Sequence, residues 1–163
     1  MNSYAPSLLD KLLGAGPRAR DGTSLRFSME QVKDSVARDI EMLLNAHQSY
    51  SAEDLAGFPN AARSVLALGL VDISSMSLAS DNDRKRITDA IRDGLMAYDR
   101  RLTHVEVAVR PLPGSSNSLT FTIRARLLMR PNSEHVTFDA VLQPGSKRYE
   151  VVKSVHRPSP QTV

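Results

Sequence analysis

The sequence predicts an α+β fold, with N-terminal helices packed on one face of a C-terminal antiparallel β-meander of three to four strands. Two observations predict it. Apolar residues recur at helical spacing as far as Tyr98, and from His104 onward they alternate with polar residues at a period of two. A third supports it: the alternating runs are separated by turn-forming stretches, Pro111 to Asn117 and Pro144-Gly145-Ser146. The chain of 163 residues is long enough to bury a core without metal or disulfide staples.

Taken in order, Ser7 caps a short helix over 7–13, with Asp10 three positions on and Leu8, Leu9, Leu12 and Leu13 at helical spacing up to Gly14. So short a helix is marginal alone, so its leucines must rest on something. The glycine- and proline-bearing stretch from Gly14 to Gly22 reads as a linker, making 1–27 an arm that docks either on its own domain or on a neighbouring subunit. Ser28 and Gln31 form a second capping box, and Val32, Val36, Ile40, Leu43 and Leu44 give the stripe of a helix over 29–46. Glu30, Asp34 and Glu41 then fall on its solvent side. Pro59 opens a short helix ending near Gly69. After a loop at 74–80, Ser80 or Asp81 caps a helix with the stripe Ile87, Ala90, Ile91, Leu95 and Tyr98.

The strands follow. Val105, Val107 and Val109 alternate with Glu106, Ala108 and Arg110; Leu119, Phe121, Ile123, Ala125 and Leu127 alternate with Thr120, Thr122, Arg124 and Arg126. Val136, Phe138, Ala140 and Leu142 mark a third strand, and Tyr149, Val151, Lys153 and Val155 a fourth. Such alternation means one buried and one wet face, with Phe121, Phe138 and Tyr149 on the buried one. The organisation is an arm at 1–27, one α+β domain at 28–156 and a proline-bearing disordered tail at 157–163.

Composition removes whole classes of chemistry. With no cysteine there is no zinc finger, iron–sulfur site, disulfide scaffold or thiol nucleophile. The longest apolar run, Val65 to Val71, falls far short of the ~20 residues that span a bilayer. No secretory-signal pattern opens the chain, since Met1 to Ala5 carries no basic residue and no apolar run follows. The four histidines, His47, His104, His135 and His156, show no metal-ligand spacing, and no phosphate-cradling loop or nucleophile elbow occurs. No metal or cofactor is therefore expected. Charge is divided unevenly. Up to Asn82 there are 7 basic and 10 acidic residues, beyond it 14 and 8, so the halves carry −3 and +6. An acidic protein surface or a nucleic acid would answer the positive half, although stacking aromatics are not interleaved with its basic residues.

Several segments together carry a resemblance. Ser7-Leu8-Leu9-Asp10-Lys11-Leu12, the helix from Val36 through Arg38-Asp39-Ile40 to Leu43-Leu44-Asn45, the stretch Ser64 to Leu70 with Asp72-Ile73, and Tyr98-Asp99-Arg100-Arg101-Leu102 before a valine-alternating strand resemble the phage gene-25-like baseplate wedge family. Within it they are most similar to the TssE-type subunits of type VI secretion baseplates. The resemblance spans about 5–155. It implies a structural part of a contractile injection machine, in the bacterial cytoplasm at an inner-membrane-anchored baseplate. Its expected partners are other wedge subunits and the sheath protein, and the membrane is met only through the baseplate. The family's Glu-Pro-Arg triplet falls on Asp99, Arg100 and Arg101, where the acid is shortened, the proline lost and the final Arg kept. Without proline the turn geometry must come from elsewhere.

Three functional readings stand side by side. The first is a non-enzymatic assembly subunit, binding wedge neighbours through Leu8, Leu9, Leu12 and Leu13 and the corner at Asp99, Arg100 and Arg101. It would receive a sheath strand on a sheet edge, expected at Tyr149, Val151 and Lys153. The second is a peptidoglycan hydrolase, a label the family has carried, which needs one protonated and one ionised carboxyl in a cleft. The third is a nucleic-acid-binding module using the basic half.

Overall fold

The computed structural model describes residues 4–12, 26–51, 53–70, 76, 80–111, 119–129, 132–143 and 146–154. Helix α1 is Leu8–Leu12, α2 Met29–Asn45 and α3 Asp81–Tyr98. They precede strands β1 (Leu102–Pro111), β2 (Leu119–Leu128), β3 (Ser133–Gln143) and β4 (Arg148–Lys153). The sheet is a four-stranded antiparallel meander in the order β1-β2-β3-β4. The α+β architecture is the one the change of period predicts.

Helix α2 starts where its capping box directs. Ser28 Oγ accepts from the Gln31 amide at 3.3 Å, and the Ser28 amide donates back to Gln31 Oε1 at 2.8 Å. It buries Val32, Ser35, Val36, Ala37, Ile40, Leu43 and Leu44. Ser80 is the cap of α3, accepting from the Asp83 amide, and Ile87, Ile91 and Leu95 are wholly buried. Against these helices the sheet turns Phe121, Ile123, Ala125 and Leu127 of β2, Val136, Phe138, Ala140 and Leu142 of β3, and Tyr149 and Val151 of β4. Phe121 and Tyr149 meet as tilted rings with centroids 5.9 Å apart. Tyr4 and Phe27 join the same core.

Two departures from the sequence reading have physical causes. The helix expected between Pro59 and Gly69 is instead a pair of 3₁₀ turns, Ala61–Arg63 and Val65–Ala67. Between them Ser64 is extended, and its hydroxyl caps the second turn by accepting from the Leu66 amide at 3.2 Å. Neither turn buries a residue, so no packed stripe sustains a longer helix. Gly69 does not end a helix but serves a close approach: φ is +117°, and a Cβ there would stand 2.4 Å from the Ala46 carbonyl oxygen. That contact lets Leu70 pair with the end of α2, its amide donating to Ala46 and its carbonyl accepting from Gln48. The second departure concerns Glu41, placed on the solvent side by the helical stripe; it binds the sheet, as described below.

Leu13, the linker from Gly14 to Gly22, Val71 with Asp72-Ile73, the turns through Leu112–Asn117 and Pro144-Gly145, Val155 and the 157–163 tail lie outside the described residues. Among the described residues no helix is long and apolar enough to cross a membrane, and no group of three His, Asp or Glu could hold a metal ion.

Candidate functional site

The corner between α3 and β1 holds the Asp99-Arg100-Arg101 triplet. Asp99 Oδ1 accepts from the Arg101 amide at 3.0 Å, an Asx turn, and its carbonyl accepts from the Leu102 amide at 3.1 Å. The aspartate side chain thus supplies the turn geometry that a proline would otherwise impose. Arg101 folds back over it, Nε donating to Asp99 Oδ1 at 2.9 Å and one terminal nitrogen to Asp99 Oδ2 at 2.7 Å. The same nitrogen reaches Asp39 Oδ2 of α2 at 2.6 Å. Burial opposes the charge on Arg101, but Asp99 and Asp39 outweigh it and push its pKa further up. Asp39 lies above the usual carboxylate value: burial raises it, the Arg101 pair pulls it down, and Asp99 and Asp10 push it back up. Asp99 and Arg101 are therefore engaged within the chain, and Arg100 between them is exposed.

A second network ties the arm to the same region. Tyr4 and Phe27 exchange backbone hydrogen bonds of 2.8 and 2.7 Å. Asp10, only 3% exposed, accepts on Oδ2 from the Ser7 amide at 3.0 Å, the Ser7 hydroxyl at 2.7 Å and the Ser35 hydroxyl at 2.6 Å, and on Oδ1 from Arg38 at 2.6 Å. Burial would raise its pKa, but the hydrogen bonds from Ser35 and Ser7 and the charge of Arg38 together hold it below the usual value. A cavity of about 70 Å³ separates the two networks, with Asp10, Ser35, Phe27 and Arg101 among its walls. Of the arm's leucines, Leu12 points outward at 74% exposure.

The third feature is the sheet's two outer strands. The strand expected to offer its edge, with Tyr149, Val151 and Lys153, is outermost, but α2 occupies that edge. Asn45 Nδ2 donates to the Tyr149 carbonyl at 2.8 Å and Asn45 Oδ1 accepts from the Tyr149 amide at 2.9 Å, as a neighbouring strand would. One turn earlier Glu41 Oε2 accepts from the Val151 amide at 2.9 Å. Lys153 is paired with Glu30 and Asp34 at 3.1 and 2.7 Å.

On β1 the alternation of the ladder sets which groups face out. The Ser154 amide bonds Thr137, so Thr137 faces β4 and its neighbours Val136 and Phe138 face β2. Their partners Ala125 and Ile123 face β3, which turns Arg124, Thr122 and Thr120 toward β1. Glu106, Ala108 and Arg110 pair with those three, leaving Val107 and Val109 with outward N–H and C=O groups. No side chain among the described residues caps them.

Asp39, Ser35, Asn45 and Glu41 were not visible as site residues in the sequence. The one local hint was that Glu41 and Asn45 stand one helical turn apart and so share a face.

Searches of the curated proteins and of the solved structures found no match. The family model described as baseplate wedge protein gp25 matches residues 30–132, which take in α2, α3, the Asp99 corner and the first two strands. That match covers more than half of the chain, so the chain belongs to the gp25 family of baseplate wedge proteins.

Proposed function

We propose that the chain is the wedge subunit of a type VI secretion baseplate, assembled in the bacterial cytoplasm at an inner-membrane-anchored complex, where it helps start the contractile sheath by accepting a sheath strand. Its role is structural, and its partners are other wedge subunits and the sheath protein. The observation that carries this reading is the difference between the two outer strands: α2 side chains hold the β4 edge at Tyr149 and Val151, whereas among the described residues nothing holds the outward groups of Val107 and Val109 on β1, which suits strand addition. The β4 edge, with Tyr149, Val151 and Lys153, would accept a strand only if α2 withdrew. For wedge neighbours, the outward Leu12 supports an arm contact, which we extend to Leu8, Leu9 and Leu13, and the exposed Arg100 is the triplet member placed to reach a partner while Asp99 and Arg101 fix its base.

Val109→Pro tests the edge directly. The substitution removes an amide that makes no ladder bond but also changes a side chain packed against the core, so the isolated protein should stay folded with only a modestly lower thermal unfolding temperature. In cells carrying the secretion machine, with fluorescently tagged sheath protein, the expected result is baseplates without sheaths. Sheaths of normal number and length would refute strand addition on β1.

A further inference from the structure

The face of the sheet turned away from the helices carries a basic groove that the readings above do not use. It has a volume of about 380 Å³ and is walled by His104 and Glu106 of β1, Arg124 and Arg126 of β2, and His135 and Thr137 of β3. Ala125 and Val136 turn their side chains to the core, so only backbone forms the floor there. A β-bulge shapes one wall: Thr103 pairs with Arg126 and Glu106 with Arg124, leaving His104 and Val105 opposite Ala125 alone. His104 adopts φ +52°, a left-handed conformation uncommon for a residue with a Cβ and one that gathers at binding sites.

Among the described residues the charges in this groove are not fully paired. Arg124 stands directly opposite Glu106 in the register, yet the two form no ion pair, and Arg124 makes no hydrogen bond within the described residues. Arg126 spends only its Nε, on Ser133 Oγ at 2.8 Å, and keeps the rest of its fork. Two guanidinium groups thus face one carboxylate. They sit two residues apart on one strand face, a spacing of about 7 Å, which is also the spacing of alternate side chains on an extended peptide.

We propose that this groove binds an extended acidic segment of a partner protein, whose Asp or Glu side chains at alternate positions engage the forks of Arg124 and Arg126. No Phe, Tyr or Trp lines the groove to stack a base, and two forks at a two-residue spacing match the alternate carboxylates of an extended peptide. The surface is separate from the β1 edge and does not depend on sheath-strand addition there.

The test uses the full-length ¹⁵N-labelled chain and a short synthetic peptide alternating Glu and Thr, titrated at low and physiological salt. Amide shifts should concentrate at 104–106, 124–126 and 135–137. Arg124→Glu with Arg126→Glu should weaken the peptide about tenfold or more, while Lys85→Glu with Arg86→Glu on α3, the same change of charge, should leave it within about twofold. Arg124→Gln with Arg126→Gln gives the same reading if charge reversal impairs folding. Equal losses in both pairs of variants, shifts outside the groove, or no binding would overturn the proposal. So would a short oligothymidylate that displaces the peptide and binds more tightly, which would assign the groove to nucleic acid.

Discussion

Tyr149 shows how differently one residue's atoms can be treated. Its backbone is held on both sides by Asn45, and its ring packs on Phe121, but its hydroxyl is buried with no hydrogen-bond partner among the described residues. Burial correspondingly pushes the phenol pKa up. A buried hydroxyl that has surrendered water and found no partner costs free energy, while the ring repays its burial. Tyr149→Phe removes only the oxygen, so stability should hold or rise by up to about 1 kcal/mol, read from urea unfolding. A loss of about 1 kcal/mol or more would show that the hydroxyl has a partner in solution. The alternation of β4 already assigned this residue to the buried face. It carried no information about the hydroxyl, because a period of two fixes which face a side chain joins and not which atoms it meets there.

Helix α2 joins two functions that a single helical pattern does not separate. The stripe of Val32, Val36, Ile40, Leu43 and Leu44 is legible because it repeats locally and is buried as one surface. Its polar flank reads as solvated in the sequence, yet Glu41 and Asn45 act as a surrogate strand for β4, more than a hundred residues away. Asp39 meets Arg101 across a separation of 62 residues, again with no local signal. Polarity in a sequence marks a group that needs a partner; it does not distinguish water from a sheet edge. Glu41→Ala combined with Asn45→Ala should therefore speed hydrogen exchange at the Tyr149 and Val151 amides and expose an edge that promotes self-association, measurable by light scattering. Glu41→Gln, which keeps an acceptor, should protect Val151 largely as before. Unchanged exchange in the double variant would show that α2 does not guard this edge.

Across the whole molecule, the division of charge read along the chain proves partly an internal complementarity. Lys153 and Arg101 of the basic half pair with Glu30, Asp34 and Asp39 of the acidic half, and Lys33 crosses the other way to Glu134 at 2.6 Å. The order of helices before meander was legible because both periodicities are strong. The docking of the arm was not, since it rests on two isolated aromatics, Tyr4 and Phe27, and one buried carboxylate rather than on a repeating stripe. That carboxylate gives the arm a pH signature. Asp10 has a folded pKa below its usual 3.8, so its ionised form favours folding at higher pH, and this contribution fades as pH falls below 3.8 through the folded value. Asp39, raised by burial, has the opposite slope: folding gains as pH falls through its elevated value. The acid limb of wild-type stability is thus a sum of opposing parts, and the difference from Asp10→Asn isolates the arm. Urea midpoints from pH 7 to pH 3 should show the variant less stable by about 1–3 kcal/mol at neutral pH, with the gap narrowing below pH 4 as wild-type Asp10 takes up its proton. A gap that stays constant across that range would mean that Asp10 holds the arm through shape and neutral hydrogen bonds, and not through its charge.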